Sequence, residues 1–216
     1  MRMFRCYIFD LDGTLIDSLE DLADASNWVL RQSGLPTHPT DAYRYFVGDG
    51  AYKLAERMLP ENMRESGIVA DYKARFDQRY NGHYLDKTRP YPGILELLDH
   101  LRGQGARLAV LSNKPDVFVQ KLCAQIFGEG FFDAVCGQRD GIAKKPAPDG
   151  VFAILKELAA KPEETLFIGD SNVDIQTARN AGLQSAGACW GFRGREELEK
   201  AGACFLADSP AELERL

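Results

Sequence analysis

The sequence of 216 residues predicts an α/β fold, in which a parallel sheet covered by helices is interrupted by an all-helical insertion. From about residue 105 onward, short apolar runs alternate with amphipathic helical patterns, as in repeated βα units. Between about residues 15 and 105 no strand pattern occurs, whereas apolar side chains recur at helical spacing. Several predicted strands also end in polar side chains, and the ends of parallel strands meet at one edge where ligands bind.

The composition is that of an ordinary globular protein and argues against several classes of partner. Hydrophobic residues make up 45% of the chain and charged residues 27%, and the formal net charge is −6. Because no long run of Lys or Arg occurs, we expect no nucleic-acid partner. No window approaches the roughly 18 apolar residues of a membrane helix, and the apolar run before Asp10 is too short for a signal peptide. We therefore expect no membrane partner and a cytoplasmic location.

The cysteines and histidines show no metal-binding spacing. Five cysteines are widely separated without a CxxC pair, a pattern typical of a reducing compartment and free thiols. They are Cys6, Cys123, Cys136, Cys189 and Cys204. The three histidines lack the spacing of zinc ligands, so a histidine-based zinc site is not expected.

The first predicted strand covers residues 6–9 and leads into the sequence Asp-Leu-Asp-Gly-Thr at residues 10–14. Acidic and glycine residues also end strands for purely structural reasons, so this stretch is not diagnostic by itself. Ser18 and Asp21 fit a capping box for a following helix. This pattern assigns Asp17 to the helix start rather than to the chemistry.

Apolar stripes predict a small helical bundle after this first helix, and Tyr91-Pro92-Gly93 marks the return to the sheet domain. An amphipathic helix begins at Ile94. The later strands are predicted at 107–111, 132–136, 165–168, 184–188 and 203–206. The intervening helices are predicted at 117–127, around 151–158 and up to Gly182, with a last helical turn from Pro210.

Three predicted strand ends carry polar side chains that share one edge if the sheet is parallel. They are, in chain order, Asp10 and Asp12, then Ser112 and Asn113, then Asp170 with Asp174 one helical turn beyond. Lys145 lies between the second and third sets, in a loop too rich in proline to be helical. The combined set contains carboxylates, a hydroxyl, an amide and an ammonium group.

This set of side chains predicts phosphoryl chemistry assisted by Mg²⁺. Clustered carboxylates repel one another and need a cation to stay ionised. Oxygen-only ligands suit Mg²⁺, whereas hydroxyl, amide and ammonium groups suit phosphate oxygens. One carboxylate can act as the nucleophile and a second, two residues away, as general acid and base.

Four short motifs resemble those of the haloacid dehalogenase superfamily of phosphohydrolases. The stretch 10–15 resembles the DxDGT motif, and Ser112-Asn113-Lys114 resembles the second motif. Lys145-Pro146-Ala147-Pro148 and the stretch 169–174 resemble the third and fourth. Together they span essentially the whole chain. The resemblance implies a Rossmann-like parallel sheet core at 1–14 and 88–216, with an all-helical cap domain inserted at 15–87.

The resemblance implies distinct roles for the four aspartates. Asp10 would be the nucleophile that becomes phosphorylated and a ligand of Mg²⁺. Asp12 would be the general acid and base, and would offer its backbone carbonyl to the metal. Asp170 would be a direct metal ligand. Asp174 would act through a metal-bound water or through Lys145.

The remaining motif residues would hold the phosphate. The resemblance assigns Ser112 and the backbone N–H of Asn113 to the transferring phosphoryl group, and Lys145 to neutralising the nucleophile and the phosphate. Lys144 is the competing lysine, but the position directly before proline favours Lys145. We expect Lys114 to be a solvated residue at a helix start.

Within the superfamily the chain is most similar to phosphoglycolate phosphatases, in the stretch 46–51 and in the segment Trp190-Gly191-Phe192-Arg193. This similarity implies a small phosphorylated metabolite as substrate, with 2-phosphoglycolate as the first guess. Gly48, Asp49 and Gly50 are candidate substrate residues, although they also fit an ordinary glycine turn. Relatives that handle sugar phosphates often place a cation in this loop. Its absence here argues against a sugar phosphomutase, although Lys53 or Arg57 could compensate. Arg193 and Arg195 are expected at the solvated surface.

Other functions use similar residues. A pyrophosphatase, a sugar or nucleotide phosphatase, or a β-phosphoglucomutase-like mutase would act with the same core motifs. A receiver-like phospho-aspartate signalling module also combines acidic residues, a hydroxyl and a lysine on a parallel sheet, but it needs neither Asp12 nor a cap of roughly 70 residues. Both a monomer and a homodimer are compatible with the sequence.

Overall fold

The computed structural model describes residues 4–216 and confirms the α/β class. The strands in this range are β1 (Cys6–Phe9), β2 (Ile16–Asp17), β3 (Arg89–Pro90), β4 (Arg107–Pro115), β5 (Ala134–Gln138), β6 (Thr165–Gly169), β7 (Gln184–Ala188) and β8 (Phe205–Ala207). The α-helices are α1 (Leu19–Gln32), α2 (Tyr43–Phe46), α3 (Ala51–Met58), α4 (Ser66–Asn81), α5 (Ile94–Gly103), α6 (Asp116–Phe127), α7 (Asp149–Glu157), α8 (Asn172–Asn180), α9 (Arg195–Ala201) and α10 (Pro210–Leu213). Three 3₁₀ turns lie at Thr40–Ala42, Glu61–Met63 and Pro162–Glu164.

Six strands form a parallel sheet in the order β5-β4-β1-β6-β7-β8. The first strand is central, with Phe9 beside Val110 of β4 on one side and Ile168 of β6 on the other. All four residues of β1 are buried, as expected for a strand with helices on both faces. Because the chain extends the sheet to opposite sides of β1, the carboxyl end of β1 is a topological switch point.

Successive residues of β1 contribute to two different cores. Phe9 packs with Leu98 and Val119 on one face of the sheet. Its neighbour Ile8 packs with Val151 and Phe167 on the other face. This alternation follows from the two-residue period of a strand and fixes the orientation of the residues that follow it.

Helices α1 to α4 enclose a third apolar cluster, which includes Leu30, Tyr43, Met58 and Tyr80. Phe118 of α6 also belongs to this cluster and joins the helical segment to the sheet domain. No helix within residues 4–216 combines the length and apolar character needed to span a bilayer. The exact domain boundaries at 15–87 stay a prediction.

The sequence predicts no strand between about residues 15 and 105, and this prediction is wrong at two short places. Strands β2 and β3 pair antiparallel, with Ile16 opposite Pro90, and join the two crossings between the helical segment and the sheet domain. Two-residue strands give no periodic sequence signal, which explains why they were missed.

The predicted capping box at the start of α1 is also wrong. The Ser18 hydroxyl donates to Asp12 at 2.5 Å, and the Asp21 carboxylate accepts from the backbone N–H of Thr88 at 2.8 Å and from that of Lys87 at 3.0 Å. Ser18 thus contacts a residue six positions earlier, and Asp21 contacts residues that are distant in sequence. The assignment of Asp17 is confirmed, because its carboxylate accepts from the backbone N–H of Leu19 at 3.2 Å.

Candidate active site

Asp10 lies directly after β1, where its carboxylate is 7% exposed at the edge of the sheet. Its backbone N–H continues the sheet by donating to Ile168 at 2.8 Å. One carboxylate oxygen accepts from the backbone N–H of Leu11 at 2.7 Å and lies 2.8 Å from the ammonium of Lys145. These contacts hold the carboxylate in one orientation.

Lys145 joins Asp10 to Asp174, whose carboxylate lies 2.7 Å from the same ammonium. Burial alone would lower the pKa of Lys145, but the two carboxylates raise it above its ordinary value, so the ammonium stays charged. Asp174 also accepts from the hydroxyl of Ser171 at 2.6 Å, in the capping box that begins α8. Lys144 points elsewhere, since its ammonium donates to the carbonyl of Asp49 at 2.8 Å.

Asp10, Asp170 and Asp174 form a buried carboxylate cluster in which one oxygen from each lies within 4.8 Å of the others. Burial and neighbouring carboxylates raise the pKa of Asp10 to about 7 and that of Asp170 well above its ordinary value. A cation among these oxygens would relieve that repulsion, and an all-oxygen donor set fits Mg²⁺. The side chain of Asp12 lies outside this cluster.

Asp170 is held by close backbone packing. The backbone N–H of Phe192 donates to its carboxylate at 2.7 Å, and the hydroxyl of Thr14 donates at 3.3 Å. A Cβ on Gly191 would overlap the Cβ of Asp170, and a Cβ on Gly13 would overlap its carboxylate. Glycine is therefore required at both positions, which gives the segment after β7 a structural role beside the site.

Lys114 is buried, and the expectation that it is solvated is wrong. It is 7% exposed, and its ammonium lies 2.9 Å and 3.1 Å from the two carboxylate oxygens of Asp12. Burial would lower the pKa of Lys114, but Asp12 raises it above its ordinary value. The prediction ended the strand at residue 111, whereas β4 continues to Pro115. Ser112 and Lys114 are two residues apart on an extended chain, so their side chains share one side.

A cavity of about 40 Å³ separates the sheet edge from the helical segment. Its lining includes Asp10, Asp12, Ser112 and Asn113 from the sheet domain. Four predicted site residues of the sheet domain therefore meet at one cavity, and Lys145, Asp170 and Asp174 lie next to Asp10.

The predicted substrate residues of the helical segment separate into two groups. Gly48 and Gly50 line the cavity. Asp49 instead forms an ion pair of 2.5 Å with Arg57. The amide of Asn113 donates to the carbonyls of Gly48 and Lys145 at 3.0 Å each, so it bridges the two parts of the protein.

Sequence reasoning missed the part of the lining that α4 supplies. Phe76, Asp77 and Tyr80 face the cavity, although the aromatic residues fitted a bundle core. Their helical spacing could reveal a buried face but not what that face would contact. Arg193, expected at the solvated surface, instead donates to the carbonyl of Val47 at 3.0 Å.

Comparisons with known proteins agree with the fold. The sequence profile of the haloacid dehalogenase-like hydrolase family matches residues 7–188. A phosphoglycolate phosphatase of Aquifex aeolicus is 36% identical over 188 residues, which are 87% of this chain and 86% of the relative. A solved structure from Lactobacillus delbrueckii subsp. bulgaricus has a TM-score of 0.93 at 34% identity, covering 99% of this chain and 98% of that one. CbbY from Rhodobacter sphaeroides, solved in complex with phosphate, has a TM-score of 0.80 at 28% identity, covering 98% and 96%.

The chain belongs to the haloacid dehalogenase-like hydrolase family, as its four motifs indicated. Within that family it is a phosphoric monoester hydrolase. Membership in a hydrolase family removes the support for a receiver-like signalling module.

Proposed function

We propose that this protein is a Mg²⁺-dependent phosphatase that hydrolyses a small phosphomonoester, with 2-phosphoglycolate as the first candidate, through an aspartyl-phosphate on Asp10. The observation that carries the proposal is the position of Asp10. Its carboxylate lines the cavity, while Lys145 and two further carboxylates lie against it from behind. Asp10 can therefore act both as the nucleophile and as a ligand of the cation.

In the first half-reaction a carboxylate oxygen of Asp10 attacks phosphorus and the ester P–O bond breaks. Asp12 gives its proton to the departing alkoxide, which leaves as an alcohol. Both aspartates line the cavity, and the hydroxyl of Ser18 and the ammonium of Lys114 hold the carboxylate of Asp12.

In the second half-reaction Asp12 takes a proton from water as that water attacks phosphorus. The P–O bond to Asp10 breaks, inorganic phosphate forms, and both aspartates return to their starting states. One carboxyl group thus serves as acid and then as base, which requires that it face the cavity in both steps.

The surrounding groups stabilise the charge of the phosphoryl group. In this proposal Ser112 and the backbone N–H of Asn113, two residues of the cavity lining, bind its oxygens, and Lys145 offsets the charge of Asp10. Mg²⁺ would be held by Asp10, Asp170 and the backbone carbonyl of Asp12, with Asp174 nearby, and would polarise the phosphoryl oxygens.

The cavity is narrow, at about 40 Å³, which favours a small substrate over a bulky one. The relative from Aquifex aeolicus is named a phosphoglycolate phosphatase, which supports the same substrate here. The cations considered for sugar recognition are engaged elsewhere, since Arg57 pairs with Asp49 and Lys53 pairs with Glu56. A sugar phosphatase, nucleotide phosphatase, pyrophosphatase or mutase is the alternative on the same core. Cytoplasmic location and the oligomeric state, monomer or homodimer, stay predictions.

The test is release of inorganic phosphate from a panel of phosphomonoesters, with Mg²⁺ and with a chelator. We expect Mg²⁺-dependent turnover of 2-phosphoglycolate by the wild type and none by Asp10→Asn. Wild-type turnover of a generic aryl phosphate no higher than that of Asp10→Asn would refute the phosphatase. A kcat/KM for a sugar phosphate or pyrophosphate higher by a factor of about ten or more would refute the substrate.

A further inference from the structure

We infer that Lys114 and Tyr80 form a carboxylate-binding subsite that selects substrates with a negative charge close to the ester oxygen. The inference rests on the proposed function. It concerns recognition of the carboxylate end of the substrate, which the phosphate-binding residues do not contact. The substrate class is a short phosphorylated hydroxy acid.

Lys114 supplies the only positive charge among the described residues that line the cavity. Three carboxylates share that lining, namely Asp10, Asp12 and Asp77. One carboxylate oxygen of Asp77 is paired with Lys73 of the same helix at 2.5 Å, whereas the other is buried without a hydrogen-bond partner. An ammonium has three N–H donors, and the two oxygens of Asp12 use at most two of them. The remaining donor lies beside Tyr80, so Lys114 and Tyr80 can present N–H and O–H donors to one anion.

Tyr80 places a second donor at the same point. It is 1% exposed, and its hydroxyl has no hydrogen-bond partner within the described structure. The ring centre lies 4.7 Å from the ammonium of Lys114. A buried hydroxyl without a partner costs free energy, and a bound carboxylate oxygen would satisfy it.

The surroundings make these donors effective. Val47, Leu54, Phe76 and Phe118 form apolar walls of the cavity, which weaken dielectric screening of charges inside it. Because Lys114 contacts Asp12, the proposed proton donor to the ester oxygen, the recognised anion must lie only a few bonds from that oxygen. The carboxylate of 2-phosphoglycolate is separated from its ester oxygen by a single methylene and meets this condition.

The competing explanation is that Lys114 serves only as counter-ion to Asp12. In that case its loss would slow all phosphomonoesters alike, because proton transfer to every leaving group would suffer. A carboxylate subsite predicts unequal losses, since only substrates with the anionic tail lose a contact. The ratio of kcat/KM between matched charged and uncharged substrates therefore separates the two explanations.

The experiment compares 2-phosphoglycolate with ethyl phosphate, and 3-phosphoglycerate with glycerol 3-phosphate. The variants are Lys114→Met, Lys114→Gln and Tyr80→Phe. Lys121→Met serves as the matched control, because Lys121 is on α6 and its ammonium donates to Asn81 outside the cavity. The same ratios are measured as dissociation constants in Asp10→Asn protein, so that a loss of turnover does not prevent the test.

We expect the charged-to-uncharged ratio to fall about 100-fold in Lys114→Met and about 5-fold to 10-fold in Tyr80→Phe. Lys121→Met should keep the wild-type ratio. Tyr80→Phe removes a group without a partner, so it should fold and keep or gain stability. If Lys114→Met does not fold, Lys114→Gln and Tyr80→Phe carry the test.

Equal losses on charged and uncharged substrates would overturn the inference and leave Lys114 as the counter-ion of Asp12. A wild type that hydrolyses and binds the uncharged esters as well as the charged ones would also overturn it, while the phosphatase proposal stands. A wild type that binds the charged esters selectively but releases no phosphate from any ester would refute the phosphatase and keep the subsite.

Discussion

The side-chain amide of Asn113 donates a hydrogen bond of 3.0 Å to the carbonyl of Gly48. Two more side chains of the sheet domain contact the neighbouring carbonyls, since Arg193 donates to Val47 at 3.0 Å and Lys144 donates to Asp49 at 2.8 Å. Three consecutive carbonyls of the loop before α3 are therefore held over the cavity. This contact explains how a segment with its own apolar cluster closes the site.

The first prediction concerns this closure. The side chains of Lys144 and Arg193 donate to the loop from outside the cavity lining. Replacing both, in Lys144→Met/Arg193→Met, should raise KM about 3-fold to 10-fold, because each of these hydrogen bonds contributes roughly 1 kcal/mol or less. Hydrogen exchange of residues 47–50 should become faster. Lys121→Met again serves as the control. Unchanged KM and unchanged exchange in the double variant would show that these donors do not hold the loop.

The second prediction separates the two aspartates after β1. Asp12→Asn should slow both half-reactions by about 10²-fold to 10⁴-fold, because an amide cannot transfer the proton. Rapid-quench kinetics would measure the alcohol burst and the later release of phosphate. Near-normal turnover of Asp12→Asn would remove Asp12 from the mechanism.

The third prediction concerns pH and Mg²⁺. Burial raises the pKa of Asp10 to about 7 and that of Asp170 well above its ordinary value. Between about pH 4 and pH 7 these two carboxyl groups therefore hold more protons in the metal-free folded protein than in the unfolded chain, so their contribution to the free energy of unfolding falls as pH rises. Since Mg²⁺ replaces these protons, its stabilising effect should grow with pH.

Thermal unfolding with and without Mg²⁺, at about pH 5 and about pH 8, measures this effect. The increase in Tm should be larger at the higher pH and should be lost in Asp170→Asn. An equal increase at both pH values, or one that survives in Asp170→Asn, would contradict a metal site at this cluster.

The fourth prediction concerns Gly191. Gly191→Ala should destabilise the protein by about 1–3 kcal/mol, because the added methyl group overlaps Asp170, and it should weaken Mg²⁺ binding. Gly67→Ala is the matched control, since a Cβ there has open space within α4 and alanine favours a helix. Denaturant unfolding and Mg²⁺ titration would measure both. A Gly191→Ala protein with wild-type stability and Mg²⁺ affinity would contradict the packing argument.

The sequence was sufficient for the sheet and its polar edge because both depend on local patterns. Apolar runs that end in Asp10 and Asp170 indicate strands and the edge at which they finish, and a parallel sheet brings those ends together.

The remaining errors concern contacts between residues far apart in sequence. Asp21 fits a local capping box but binds Thr88 instead, 67 positions away. Lys114 looked like a surface residue because its partner, Asp12, is 102 positions away. Tyr80 belongs to the apolar cluster of the helical segment, as its spacing predicted, but that spacing gave no sign that the residue also lines the cavity. Pairing and packing of this kind are not encoded in any short window.

The measurement that tests the central proposal most directly is detection of phosphate on Asp10. Wild type and Asp12→Asn would be mixed with Mg²⁺ and 2-phosphoglycolate, quenched in acid during turnover and analysed by peptide mass spectrometry. We expect a phosphorylated peptide whose modified residue is Asp10. This peptide should accumulate in Asp12→Asn when hydrolysis of the aspartyl-phosphate is the slower step there. It should be absent from Asp10→Asn. Phosphate on a different residue, or turnover by Asp10→Asn at the wild-type rate, would contradict the account.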